Sequence, residues 1–390
     1  MQKASNLSIL GAEGRHLWQM LLSKKGFYKQ MLSDDVEQED CLNLDLQTLK
    51  LAEPGMAVWQ QWIAAALMMG CAPDQIVSTL AANGITDAVS KRELEFAKNH
   101  PYVRAGKELN EKLKKSDWVL NSLQSLKEMS PSYTHVDRRC KLSRSEFFEN
   151  YYCQNRPVVI NGLIDEWPAM SRWTPDYLRS QCGEKMVEIQ SDRNSDPNYE
   201  MDYNRHKRQL KFADYIALIL TNGEMGSNNF YMTARNTKSL NSEALSPLWV
   251  DVPLSNLSDY LKVDEQRYPG LFWFGPKGTI TPLHHDLYNN FMAQVQGRKL
   301  VRIFPSTALP KIYNHHFIYS QVDMENIDYE KFPDLKTVKS IDIVLEPGEV
   351  LFLPVGCWHY VKSLETSITI GFTNFLYANE KFSPSYPWPV

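Results

Sequence analysis

The sequence predicts an α+β protein in which an N-terminal helical region precedes a C-terminal β-sandwich or barrel. Two patterns carry that reading. Apolar residues recur at helical spacing through the first third, and short apolar runs separated by turn residues crowd the last third. The length agrees: 390 residues, 43% of them hydrophobic and 23% charged, make room for two or three domains with true cores.

Trp59, Trp62, Ile63, Ala66 and Leu67 trace the first clear helical stripe. Pro73 to Asn83 repeats it with Ile76 and Leu80, and Gly84 is placed to end that helix. Thr86 can cap a third helix that carries Val89 and Phe96 and stops before Pro101. A fourth segment, Val103 to Leu126, has Leu109, Leu113, Leu120 and Leu123 on one side. Residues 1–128 therefore read as a helical domain with a ragged start. The polar stretch 129–139, with Ser130-Pro131-Ser132, reads as a linker to a domain covering 140–390. Its first part mixes short helices with one strand. SRSEFFENYYCQ is a helix, PVVING a strand and turn, and Thr174-Pro175 a cap with proline at the first helical position. Phe212, Tyr215, Ile216, Ile219 and Leu220 form another helical stripe. From 271 the period changes. LFWFG, TITPLHHD, FMAQVQ, KLVRIF, IDIVL, EVLFLP, WHYV and SITIGFTNF are short strands, with Gly297-Arg298 and Pro347-Gly348 as turns. Such a density of strands between 271 and 376 excludes an alternating βαβ fold.

Composition narrows the function. A net charge of −4 gives no global footprint for nucleic acid or anionic membrane. The six cysteines, Cys41, Cys71, Cys140, Cys153, Cys182 and Cys357, form no CxxC pair or zinc-type cluster, so a reduced, cytoplasmic protein is expected. No signal-peptide core opens the chain, and the best apolar run, IAAALMMGCA, is about half a membrane span.

The chemistry concentrates in TPLHHDLY, residues 281–288. On a strand, residues two apart share a face, so His284 and Asp286 project together while His285 points away. An imidazole beside a carboxylate supplies two ligands of a facial triad, which a third histidine would complete for Fe(II). His359 follows a Pro-Gly turn and the apolar run VLFLP, which puts it on a buried strand. His315 and His316, in KIYNHHFIYS, read as loop or rim residues, and His16, His100, His135 and His206 have no partner by spacing. A His-x-Asp pair taken alone also occurs by chance. Lys299, in GRKLVRIF, is either a hairpin-flanking residue with its head in solvent or an inward lysine that needs an anion.

The blocks WFGPKGTITPLHHDLYNNFMAQVQGRKLVRIFPS and EPGEVLFLPVGCWHYVKSLETSITIGFTNF, with RPVVINGLIDEWPAMSRW upstream, resemble the cupin-like JmjC hydroxylases over residues 140–376. The resemblance implies a double-stranded β-helix and a 2-oxoglutarate-dependent oxygenase acting most often on protein side chains. It implies Fe(II) on His284, Asp286 and His359, and O2 as the oxidant. It implies that Lys299 pairs with the distal carboxylate of 2-oxoglutarate, that Thr281, Asn290 and Tyr231 support the cosubstrate, and that Trp273 lines the pocket. The formal charges of Asp286, 2-oxoglutarate, Fe(II) and Lys299 then cancel, as a closed pocket of low dielectric requires. Thr373 stands where many relatives have Trp, and Asn374 beside it is expected to take a pocket role. Trp358 and Tyr360 flank the distal histidine as packing residues.

The expected partner is a protein or peptide substrate, with tRNA or a small molecule as the alternative and a non-catalytic cupin-like scaffold as a third reading. The basic run 204–211, NRHKRQLK, can touch RNA or an acidic peptide but reads first as solvated surface. The helical region is expected to bind a partner, support a homodimer or present substrate. Trp59 and Trp62 are expected in the core of that region.

Overall fold

The computed structural model describes residues 56–222, 225–233, 240–263, 270–379 and 382–385. The ragged start of the helical region, with His16, lies outside the described residues. Helix α1, Met56–Met69, buries Trp59 and Trp62, whose rings meet edge to face at 6.1 Å. They pack with Ile76 and Leu80 of α2, Pro73–Ala82, and with Leu94 of α3, Asp87–Asn99. Gly84 turns the chain after α2 at a φ of 84°, a conformation that suits glycine.

Helix α4, Pro101–Glu128, starts on a proline, and His100 accepts a hydrogen bond from the Tyr102 amide. Its packing differs from the leucine stripe read in the sequence. Leu109, Leu113 and Leu123 are exposed, as is Phe96 on α3. The contact surface is a different face. Gly106 admits Met68 where any Cβ would clash, Asn110 donates to the Met68 carbonyl at 3.1 Å, and Gln124 accepts from the Thr307 hydroxyl. One face of α4 thus bridges the helical region and the barrel, and the leucines look away from both.

Strands β1 Asp137–Cys140, β2 Val158–Asn161, β3 Met186–Ser191, β4 Lys207–Lys211, β5 Phe230–Tyr231, β6 Leu271–Gly275, β7 Ile280–His285 and β8 Asn290–Gln296 lead into the barrel. It is completed by β9 Lys299–Phe304, β10 Asn314–His316, β11 Tyr319–Ser320, β12 Ile341–Leu345, β13 Val350–Leu353, β14 Trp358–Ser363 and β15 Ser367–Phe372. They form two six-stranded sheets, β1-β2-β13-β8-β15-β6 and β10-β11-β7-β14-β9-β12, and a small sheet β4-β3-β5. The architecture is a double-stranded β-helix with flanking helices. Strand β1 arises from the end of the polar stretch 129–139 and pairs in parallel with β2. The Arg138 guanidinium holds it there through Glu349 and the Val344 carbonyl.

Pairing fixes which side chains face inward. Residues directly opposite on antiparallel strands share a face. His359 of β14 lies opposite His284 of β7 and Ile303 of β9, Val361 opposite Thr281 and Val301, and Ser363 opposite Lys299. The register shifts between these pairs, with a step of three residues on β7 against two on β14, so Thr281 stays on the face of His284, and His284, His359, Thr281 and Lys299 project from one face of the second sheet. The other face carries Leu283, Phe304, Trp358 and Tyr360 into a separate apolar cluster, so Trp358 and Tyr360 pack, as expected. On the facing sheet, Phe291, Ala293 and Val295 of β8 enter the outer core with Phe147, Trp167 and Trp173, and Asn290, Met292 and Gln294 alternate to the opposite side.

The basic run 204–211 folds into a turn and β4. Lys207 lies 3.8 Å from Glu188 and Lys211 lies 2.7 Å from Glu184. Among the described residues, no helix is long and apolar enough to cross a membrane.

Candidate metal centre and anion pocket

His284, Asp286 and His359 bring one potential ligand atom each to within 4.8 Å of one another. The strand ladder places the two imidazoles, with ring centroids 4.2 Å apart. The protein also decides which nitrogens face each other. His284 Nδ1 lies 2.8 Å from the Pro282 carbonyl, and His359 Nδ1 lies 3.0 Å from the Cys357 carbonyl. A carbonyl only accepts, so each Nδ1 carries the proton and each Nε2 keeps its lone pair. Both Nε2 atoms sit 4.0 Å from a carboxylate oxygen of Asp286, one on each oxygen. Burial, with His359 beside it, pushes the imidazole of His284 well below its ordinary range and keeps it neutral. Asn290 donates to Asp286 Oδ2 at 3.2 Å, and the Tyr319 ring stacks on His284 at 5.7 Å.

His285 turns away from this face and packs edge-on against Trp358, with centroids 4.7 Å apart. The side chains of His315 and His316 lie outside the described set.

Further into the barrel, Lys299 is 1% exposed, and its Nζ donates to the Tyr231 hydroxyl at 3.1 Å. No carboxylate pairs with it among the described residues, and burial alone pulls its ammonium down to about 7. Tyr231 is also buried, which pushes its phenol far up and keeps it protonated, and Thr281 hydrogen-bonds to it. Tyr231 fits because Gly275 has no side chain there; a Cβ would come within 2.6 Å of the ring. Trp273 of β6 lies opposite Thr369 of β15 and lies against Gly371, which leaves room for its ring. Lys299, Thr281, Tyr231 and Asn290 thus line one interior with the histidines. Asn374 is committed elsewhere. Its amide donates to the Lys262 carbonyl at 2.6 Å, and no described contact joins it to the His284 cluster.

Three polar residues near this interior carried no sequence signal. Arg193 is buried, stacks 4.1 Å over Tyr199 and 5.3 Å over Tyr231, and pairs with Glu200 at 3.1 Å. Glu200 in turn reaches the Tyr319 hydroxyl at 3.5 Å. Gln190 is buried on β3 opposite Tyr231.

The donor set fits a divalent iron: two imidazoles and one carboxylate on one side, with the remaining positions open. The pocket behind it fits an anion, because the buried Lys299 has no carboxylate partner among the described residues. Such a barrel with inward His, Asp and His defines a metal-binding cupin. The chain belongs to the cupin-like domain family, which matches residues 144–380, and the JmjC proteins of that family are oxygenases that use Fe(II), 2-oxoglutarate and O2.

Among similar proteins, "Lysine-specific demethylase JMJ30" of Arabidopsis thaliana is 32% identical over 259 residues, covering 64% of this chain and 56% of that protein. "Lysine-specific demethylase 8" of Xenopus tropicalis is 29% identical over 235 residues, covering 59% and 50%. "tRNA wybutosine-synthesizing protein 5" of Gallus gallus is 25% identical over 239 residues, covering 59% and 73%. The chain spans about half the length of the two demethylases it matches.

Proposed function

We propose that this protein is an Fe(II)- and 2-oxoglutarate-dependent oxygenase that hydroxylates a side chain of a protein or peptide. The observation that carries the reading is the pairing of two features on one barrel face. A His, Asp, His cluster within 4.8 Å adjoins a buried lysine without a carboxylate partner among the described residues.

In this reading His284, His359 and Asp286 hold the iron through the two Nε2 atoms and a carboxylate oxygen. The backbone carbonyls of Pro282 and Cys357 fix the rings so that these lone pairs converge. Asn290 restrains Asp286 from the facing sheet. Lys299 holds the far carboxylate of 2-oxoglutarate, with the hydroxyls of Tyr231 and Thr281 beside it. Iron with O2 and 2-oxoglutarate supplies the oxidising power, and the cosubstrate leaves as succinate and CO2. The barrel walls exclude water from the oxidant.

A second reading is favoured by the demethylases among the relatives. Hydroxylation of an N-methyl carbon gives a carbinolamine that falls apart to amine and formaldehyde, so the same first step serves both outcomes. The product decides between them. The tRNA-synthesizing relative keeps a nucleic-acid substrate as the remaining alternative.

The experiment is succinate formation by purified protein with Fe(II), ascorbate and 2-oxoglutarate, beside His284→Ala and Asp286→Ala. We expect turnover in the parent and background rates in both variants. Full turnover in either variant removes these residues from the iron site. Formaldehyde released in step with succinate on a methylated peptide selects demethylation over stable hydroxylation.

A further inference from the structure

We propose that Gln190 is an additional binding residue of the 2-oxoglutarate chamber. It would contact the distal carboxylate end, directly or through one ordered water, from the side of Tyr231 opposite Gly275. The inference rests on the oxygenase reading above and deepens it.

Gln190 is 0% exposed, yet neither its amide nitrogen nor its amide oxygen has a hydrogen-bond partner among the described residues. A buried primary amide with both ends unpaired is costly, so a residue kept only for structure would be apolar or bonded. Its direction follows from the ladder. Val187 and Ile189 of β3 point into the outer core, so Gln190 alternates to the other face. It lies directly opposite Tyr231 on β5, and residues so paired share a face. The Tyr231 hydroxyl is the group that meets Lys299 and Thr281. Gln190 therefore stands beside the ring that forms one wall of the anion pocket.

Two more buried polar atoms bordering the same interior lack partners among the described residues. These are Arg193 Nε, whose guanidinium lies over the Tyr231 ring, and Asn290 Oδ1, whose amide nitrogen is used on Asp286. Unpaired atoms on three residues that border Tyr231 or Asp286 point to a polar occupant. A dicarboxylate with its bound water supplies acceptors for the Gln190 NH2 and the Arg193 Nε, and water supplies a donor for Asn290. Arg193 is already fixed by Glu200, Asn228 and the Ile280 carbonyl, so Gln190 is the residue free to answer the ligand.

The test uses the full chain and the ligand itself. 2-Oxoglutarate is titrated calorimetrically into the Mn(II)-loaded parent, Gln190→Met and Gln190→Glu, and Mn(II) binding and thermal unfolding are measured for each. Met keeps the shape and removes an unpaired amide, so Gln190→Met is expected to unfold at the same temperature as the parent or higher and to bind Mn(II) as tightly. Its affinity for 2-oxoglutarate should fall about tenfold, the loss expected for one hydrogen bond to a charged group. Gln190→Glu places a carboxylate against the dianion and should weaken binding further at pH 8 than at pH 6. Parent-like 2-oxoglutarate affinity in both variants overturns the proposal, and so does a Gln190→Met protein that loses Mn(II) binding or stability together with the ligand. A parent that binds Mn(II) but no 2-oxoglutarate overturns the cosubstrate reading itself and this inference with it.

Discussion

Lys299 is the residue through which pH should act on cosubstrate binding. An ordinary lysine titrates near 10.5, and burial brings this one to about 7. Between those values the unfolded chain holds a proton that the folded chain has released. The stability contribution is therefore fully present above the unfolded value and is lost as pH falls through about 7. Replacing Lys299 by Met removes that dependence. The difference in unfolding free energy, parent minus Lys299→Met, should rise from pH 7 to pH 9 by up to about 1.4 kcal/mol per pH unit in the ligand-free protein. Binding of a dianion reverses the balance, because it favours the charged ammonium. 2-Oxoglutarate binding above pH 7 should then take up close to one proton, and affinity should fall as pH rises, by up to about tenfold per unit. Calorimetry in two buffers of different ionisation enthalpy reads that proton directly. A pH-independent affinity with no proton uptake would show that Lys299 does not meet the anion.

The elements around the site differ in how much rearrangement they tolerate. Strand β15 is paired on both sides, with β6 and β8, and cannot shift without breaking one ladder. Gly371 on that strand lies under Trp273, and a Cβ there would also come within 3.3 Å of Asn290 Oδ1. Gly371→Ala should therefore push Trp273 off the wall and disturb Asn290, the residue that restrains Asp286. We expect a cost of about 1–3 kcal/mol in stability from overpacking. Weaker metal binding should accompany it, read by Mn(II) titration. An unchanged metal affinity would separate Asn290 from the metal site. Strand-level features also explain what the sequence disclosed. His284 and Asp286 stood out because residues two apart in an extended run share a face, and His359 because an apolar run preceded it. The role of Lys299 was left open by its own strand, and the pairing of β9 with β14 turned it inward. Gln190 and Arg193 were silent for a physical reason. Their partners lie about forty residues away across a small sheet whose edge strand, β5, has only two residues, too few to show any period. The exposed leucines of α4 mark the opposite limit: a helical stripe was legible, but not which face a long helix would bury.

At the scale of the whole molecule, the last turns of α4 join the helical region to the barrel among the described residues. Gln124 accepts from Thr307, which is buried in the turn after β9, and its amide donates to Glu128 at 2.7 Å. Glu128 pairs with Lys339 at 3.2 Å, but that lysine is well exposed, so the ion pair is worth little. The buried hydroxyl is the stronger link, because removing its acceptor leaves it unpaired away from water. Gln124→Ala should cost about 1–3 kcal/mol. Which transition moves is the informative quantity. If α4 and the barrel unfold as one unit, urea unfolding followed by tryptophan fluorescence and by loss of Mn(II) binding should give coincident midpoints, and both should shift down together in Gln124→Ala. A fluorescence transition that splits in Gln124→Ala, its lower step leaving Mn(II) binding intact, would mean that the helical region melts away from an intact barrel. The metal site would then be independent of it, and the four helices would be a separate module docked on an otherwise self-sufficient barrel.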